Sequence, residues 1–333
     1  MTTEPRRMRG GKQRSVNATM ADKRWHITFH GGADAQGRNN MFAYALDGRP
    51  LGPVLETDDL PHHARLRELR GFEIGPDGLL YVANASKKRS QILRFAGAAD
   101  RHGRHRFVDV FTEGRRHNSG LEHPFMVAFG SDGHLYVPSQ DTRVVTRYFG
   151  PEAREGDPGA PAPLPPALRD IPVDVLHPGT FVPSERHAPT GVRAIRAARF
   201  AGDRLYVADP EANRIRQYDA ATGAWLRDFT DPALSTPIHL LPLPADGRIL
   251  VGSRDTHAVL ALDPAAGAFT TAVPSQSGGL KAPSGLALGP DDLLYVASRT
   301  GRSILRFDLA TGAPAGPFLR DLPDEPEFIA LLD

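Results

Sequence analysis

One phrase recurs along this chain and limits its possible folds more than any other feature. Gly75-Pro76-Asp77-Gly78-Leu79-Leu80-Tyr81-Val82-Ala83-Asn84 returns as Gly130-Ser131-Asp132-Gly133-His134-Leu135-Tyr136-Val137. Looser copies follow at Gly202-Asp203-Arg204-Leu205-Tyr206-Val207-Ala208-Asp209 and at Ala245-Asp246-Gly247-Arg248-Ile249-Leu250-Val251. The last is Gly289-Pro290-Asp291-Asp292-Leu293-Leu294-Tyr295-Val296-Ala297-Ser298. Each copy leads into a second apolar run, such as Ile92-Leu93-Arg94-Phe95 or Ile304-Leu305-Arg306-Phe307. A period of roughly 40 residues, built of strands and tight turns, specifies a β-propeller. Alternation in Leu294-Tyr295-Val296 fits sheets packed face to face, and pairs such as Asp77-Gly78 and Thr311-Gly312 supply hairpin turns.

The blades are counted from the ends of the array. Full repeats begin near Leu69, Pro124, Thr190, Pro237 and Pro283. A partial repeat at the start, Trp25 to Glu56, lacks an inner strand. The final segment, Glu327-Phe328-Ile329-Ala330-Leu331-Leu332, looks like an inner strand with no blade to follow. Joining the two closes an all-β ring of six four-stranded antiparallel blades and removes the open sheet edges of a linear array. Two insertions interrupt the period. The proline-rich stretch 150–172 reads as a loop of the third blade leading to an outer strand near Val173-Asp174-Val175, and Thr57–Arg70 is expected to contain a helical turn. Residues 1–22 read as a disordered basic tail ahead of one propeller domain, 23–333.

Composition narrows the function. The 333 residues include no cysteine, so disulfides, thiolate metal sites and a cysteine nucleophile are excluded. The 40 basic and 39 acidic residues leave a formal charge of +1, which gives no global pull toward nucleic acid or an anionic membrane. The first 24 residues are rich in arginine and lack the apolar stretch of a secretory leader, so a cytoplasmic protein is expected. There is no Gly-x-Ser-x-Gly elbow, phosphate-binding glycine loop or dinucleotide fingerprint, so no nucleotide cofactor is expected.

The run Leu205-Tyr206-Val207-Ala208-Asp209-Pro210-Glu211-Ala212-Asn213-Arg214-Ile215-Arg216-Gln217-Tyr218-Asp219 resembles an NHL repeat, as does the opening Pro283-Ser284-Gly285-Leu286-Ala287-Leu288. The resemblance extends over Trp25–Asp333. It implies kinship with six-bladed propellers that include gluconolactonase-like lactonases, streptogramin lyase-like and strictosidine-synthase-like proteins, and RNA-binding scaffolds. Fold alone does not select among these.

In a closed ring, residues that open the inner strands and residues that end the second strands gather at one mouth of the axial channel. This places Arg70, Phe125, Thr190 or Arg193, His239, Ser284 and Glu327 in one set, and Asn84, Ser139, Asp209, Ser253 and Ser298 in the other. A small-molecule substrate is expected there. Similarity to the lyases implies His239 as acid/base with Glu327, within one residue of register. Arg70, Asn84, Phe125, Arg193 and Ser284 are assigned to substrate binding. Similarity to the lactonases implies a divalent cation, calcium or magnesium, on Glu327, Asp209 and Asn84, the last two reaching in from the second strands. A zinc site on His123, His187 and His239 is the weaker metal reading. The reading is a lyase or hydrolase; its alternative is a non-catalytic scaffold presenting its loop face to a protein or nucleic acid. Basic clusters at Lys87-Lys88-Arg89 and Arg115-Arg116-His117 read as a solvated rim or a substrate-steering patch.

Overall fold

A computed structural model describes residues 23–31, 39–58 and 60–332. The proposed tail, residues 1–22, lies outside the described residues, as does Asp333.

Six four-stranded antiparallel sheets form the molecule. The first combines β1 (Arg24–Phe29), β2 (Met41–Tyr44) and β3 (Pro50–Pro53) with a strand from the far end of the chain. The second holds β4 (Leu69–Ile74), β5 (Leu80–Asn84), β6 (Gln91–Phe95) and β7 (Phe107–Glu113). The third holds β8 (Ala128–Phe129), β9 (Leu135–Ser139), β10 (Val144–Tyr148) and β11 (Thr180–Val182). The fourth is β12 (Ala198–Ala201), β13 (Arg204–Asp209), β14 (Arg214–Asp219) and β15 (Trp225–Phe229). The fifth is β16 (Pro237–Pro242), β17 (Ile249–Ser253), β18 (Ala258–Asp263) and β19 (Ala268–Val273). The sixth is β20 (Pro283–Leu288), β21 (Leu293–Ser298), β22 (Ser303–Asp308) and β23 (Pro314–Leu319). Finally β24 (Pro326–Leu332) pairs with β1, from Arg24 opposite Leu332 to Phe29 opposite Pro326. The ring closes on the first blade, as the sequence predicts.

The repeated phrase has a physical cause. In three blades the tyrosine hydroxyl donates to the aspartate of the preceding turn: Tyr81 to Asp77 at 2.9 Å, Tyr136 to Asp132 at 2.7 Å and Tyr295 to Asp291 at 3.0 Å. The tyrosine ring thereby lies across the turn's first residue. A Cβ on Gly75 would stand 2.5 Å from the Tyr81 ring, and one on Gly289 would stand 2.4 Å from the Tyr295 ring. Glycine, aspartate and tyrosine are therefore one unit that pins each β-turn against its second strand and satisfies a buried hydroxyl.

Closure is also sealed by packing. Trp25 on β1 is fully buried and stacks on Tyr295 of the sixth blade at 4.2 Å. Burying one such side chain contributes about 2–3 kcal/mol. The inner strands are tied to one another as well. Gly71 N–H donates to the Phe125 carbonyl at 3.0 Å, and the Ser284 hydroxyl to the Pro326 carbonyl at 2.7 Å.

Two expectations are corrected. Val173–Val175 is a 3-10 turn, and the outer strand of the third blade is Thr180–Val182. The prolines fix φ along the connection and remove donors, so it touches the edge of β10 only briefly, where Pro161 bridges Tyr148, and the regular outer strand begins after Gly179. The fourth blade does not open at Thr190: its inner strand begins at Ala198, after a loop held by Glu185 and Val192. The helical turn expected within Thr57–Arg70 is a 3-10 turn at His62–Ala64.

Candidate functional site

The strand pairing fixes which residue opens each inner strand. Leu69 faces Asn84, Pro124 faces Ser139, Pro237 faces Ser253 and Pro283 faces Ser298. The next residues form a ring: Arg70, Phe125, Ile238, Ser284 and Glu327. In the fourth blade, where Ala198 faces Val207, the same count gives Arg196. Just outside stands a second set that begins the third positions of the mouth: Ala85, Gln140, Arg254 and Arg299 each donate a backbone N–H to the residue before the opening, at 3.1–3.3 Å.

Arg196 is the residue that sequence reasoning missed. It borders a basin of about 860 Å³ on the loop face, shared with His123, Asp141, Arg254 and Asp255. Its Nη1 donates to the Ile195 carbonyl at 3.0 Å, and its guanidinium lies over the Phe125 ring at 5.7 Å. Burial brings its pKa down to about 10; Arg254, Arg299 and Arg70 push the same way, and Glu327 opposes them. Arg193, the residue expected here, is exposed and pairs with Glu185 at 2.5 Å. A signal for Arg196 exists in the sequence. Arg70, Phe125 and Ser284 precede Tyr81, Tyr136 and Tyr295 by eleven positions, whereas the fourth blade's hairpin is one residue shorter and puts Arg196 ten before Tyr206.

Arg70, Glu327 and Phe125 occupy the ring as expected. Arg70 is 3% exposed and donates to the His30 carbonyl at 2.6 Å; burial lowers its pKa and the Glu327 charge opposes that. Glu327 is 2% exposed and meets Arg299 Nη1 at 3.3 Å through Oε1, while its Oε2 has no hydrogen-bond partner. Ser284 spends its hydroxyl on the blade junction described above.

His239 stands one layer below the mouth, because the fifth blade's hairpin is one residue longer and Ile238 takes the ring position. Its ring meets Phe328 edge-on at 5.1 Å, Phe328 meets Phe125 at 5.4 Å, and a Cβ on Gly71 would touch Met126 at 2.7 Å and Phe328 at 3.0 Å. These side chains fill the axis. Burial, aided by the Arg199 charge, lowers the His239 pKa to about 3, and Nδ1 has no partner. His239 is thus a neutral aromatic plug.

Asn84 and Asp209 are not brought to Glu327. Asn84 accepts from Arg67 N–H at 2.8 Å and donates to the Arg65 carbonyl at 3.1 Å. Asp209 accepts from the N–H groups of Arg193 and Ala194, at 3.1 and 3.0 Å, and from Arg214 at 3.0 Å. Ser253 and Ser298 make the corresponding bonds to Ser235 and Lys281. Asn84, Asp209, Ser253 and Ser298 are therefore clasps on the loops that precede their own inner strands, whereas the Ser139 hydroxyl has no hydrogen-bond partner. Among the described residues no group of three or more His, Asp or Glu is placed to hold a metal. Arg299 against Glu327, with Arg70 and Arg196 close by, makes that carboxylate a poor ligand for a divalent cation. The residues do not fit the expected calcium or magnesium.

Among the described residues lining the basin there is one imidazole. His123 is partly exposed, with Nδ1 3.3 Å from Asp141 and Nε2 3.8 Å from Glu68. Burial and Arg70 lower its pKa, and Asp141 and Glu68 oppose them. Its positive φ of 55° is shared by Glu68, Thr236 and Ala282 at the same place in other blades, so it belongs to the repeat and not to strain at this site.

No protein-family model matches the chain, and no curated protein does. Solved structures with the same fold include a nidogen/laminin complex at 12% identity and TM-score 0.61, covering 93% of this chain and 98% of that one. A streptogramin B lyase matches at 14% identity and TM-score 0.50, over 77% of this chain and 70% of that one. A catalytically inactive histidine-to-alanine variant of virginiamycin B lyase from Staphylococcus aureus with quinupristin matches at 15% identity and TM-score 0.52, over 78% and 73%. At these identities the likeness is one of fold: this chain is a six-bladed β-propeller.

Proposed function

We propose that the channel mouth binds a small anionic molecule and that the protein acts on it as a lyase or hydrolase. One observation carries the binding half. Two of the three carboxylates lining the basin have a cationic partner, Glu211 with Arg143 and Asp255 with Arg254, and the third, Asp141, meets the His123 imidazole. Two cations on the lining, Arg196 and Lys87, are left without an ion pair among the described residues. A half-buried guanidinium with no direct ion pair is costly, and a phosphate or carboxylate supplies the missing partner with planar, charge-assisted hydrogen bonds.

The catalytic half rests on His123. Its lowered pKa keeps the imidazole neutral at pH 7, able to accept a proton, and Asp141 orients the ring. His239, 4% exposed and packed against Phe328, is less open to a substrate than His123. That the virginiamycin B lyase with the same fold is inactive as a histidine variant gives precedent for histidine chemistry on this scaffold.

The test is a thermal-shift titration with orthophosphate and with citrate. The wild type is expected to gain melting temperature with increasing anion, and Arg196→Gln to lose that gain while remaining folded. An Arg196→Gln protein that responds like the wild type would refute the assignment.

A further inference from the structure

A second cavity of about 500 Å³ adjoins the basin, and Lys87 borders both. Its lining carries Arg65, Arg67, Lys87, Lys88 and Arg89, against the single carboxylate of Glu68. Glu68 is already engaged, 3.7 Å from Arg70 and 3.8 Å from His123. Arg89 faces Glu113 at 3.6 Å. The side chains of Arg65, Arg67, Lys87 and Lys88 are exposed and form no ion pair with any described residue.

The backbone under this shelf is held firmly. Asn84 clasps Arg65 and Arg67 through their main-chain groups, and Gln91 donates to the His63 carbonyl at 2.8 Å. A rigid scaffold thus presents several like charges side by side, with no internal acid to neutralise them. Like charges at close range repel, and one mobile monoanion relieves only one contact. A ligand carrying two or more linked anionic groups relieves several at once, since the second contact forms at high effective concentration.

We propose that the molecule bound at the mouth is a small polyanion. One phosphate or carboxylate sits on Arg196, and a second linked group crosses Lys87 onto the shelf formed by Arg65 and Lys88. This rests on the anion-binding reading of the mouth and specifies its ligand class. It also gives the basic clusters a role beyond solubility, because the shelf fixes which anions are retained.

Isothermal titration calorimetry of the full chain with orthophosphate, tripolyphosphate and inositol hexakisphosphate decides the matter. The linked phosphates are expected to bind at least about tenfold more tightly than orthophosphate. The double variant Arg65→Glu, Lys88→Glu, both at exposed positions, is expected to erase that advantage and still bind orthophosphate. Equal affinity for orthophosphate and the linked phosphates in the wild type, or an unaltered advantage in the double variant, would overturn the shelf and leave the Arg196 site standing. Absence of binding by any of the three would refute both readings. A single-stranded oligonucleotide that outcompetes inositol hexakisphosphate, with an affinity that Arg196→Gln does not change, would replace the small polyanion with nucleic acid.

Discussion

Replacing His239 with glutamine should make the fold less sensitive to acid. His239 has a pKa of about 3 in the folded protein and an ordinary value of 6.5 when unfolded. Above pH 6.5 neither state carries the proton. Below it the unfolded chain takes up a proton that the buried ring refuses, so stability declines from pH 6.5 toward pH 3. Lowering the pH from about 8 to about 5 therefore removes about 2 kcal/mol through this one group, at 1.36 kcal/mol per unit. His26, buried against His105 and also brought down to about 3, mainly by burial, adds a loss of similar size that the variant keeps. Urea unfolding of both proteins at the two pH values isolates the difference, because all other titrating groups are common to both. The wild type should lose about 2 kcal/mol more than His239→Gln. Equal losses would mean that His239 is hydrated and titrates freely, and the filled axis would have to be abandoned.

Glu327→Gln should strengthen orthophosphate binding at the mouth, because a buried carboxylate that attracts the Arg70, Arg196 and Arg299 charges is gone; the same change should lower stability by about 3 kcal/mol, since it removes a buried negative charge from among these cations. Calorimetry and urea unfolding read the two effects, and unchanged anion affinity would count against the charge picture. Asp209→Ala should cost about 3 kcal/mol, since two backbone donors and Arg214 lose a buried charged acceptor. Its melting temperature should fall with or without calcium or magnesium; a loss seen only when those ions are present would restore Asp209 as a metal ligand.

The fold was legible because its signal is repeated. Five copies of one turn-and-strand phrase give the blade period, and the unpaired end segments give the closure. The site was legible only where the hairpin joining the inner and second strands keeps one length. In the second, third and sixth blades, counting back from the phrase's tyrosine reaches Arg70, Phe125 and Ser284. In the fourth blade a hairpin one residue shorter hid Arg196. In the fifth, one extra residue carried the count to His239 instead of Ile238. A single-residue change in a strand moves a side chain to the opposite face, so this small irregularity exchanged a buried plug for a mouth residue. The roles of Asn84 and Asp209 were hidden for another reason. Whether a polar side chain at a strand end faces the channel or clasps its own loop depends on where unpaired backbone N–H groups fall, and that is set by loops of unlike sequence. His123 carried no local motif, since its partners Asp141 and Glu68 come from two other segments.

The central claim is that Arg196 is the anion receptor of this propeller, and anomalous diffraction from a crystal soaked in selenate tests it most directly. A selenium peak within hydrogen-bond distance of the Arg196 guanidinium is predicted. Selenate bound at other arginines, with none at Arg196, would contradict the account.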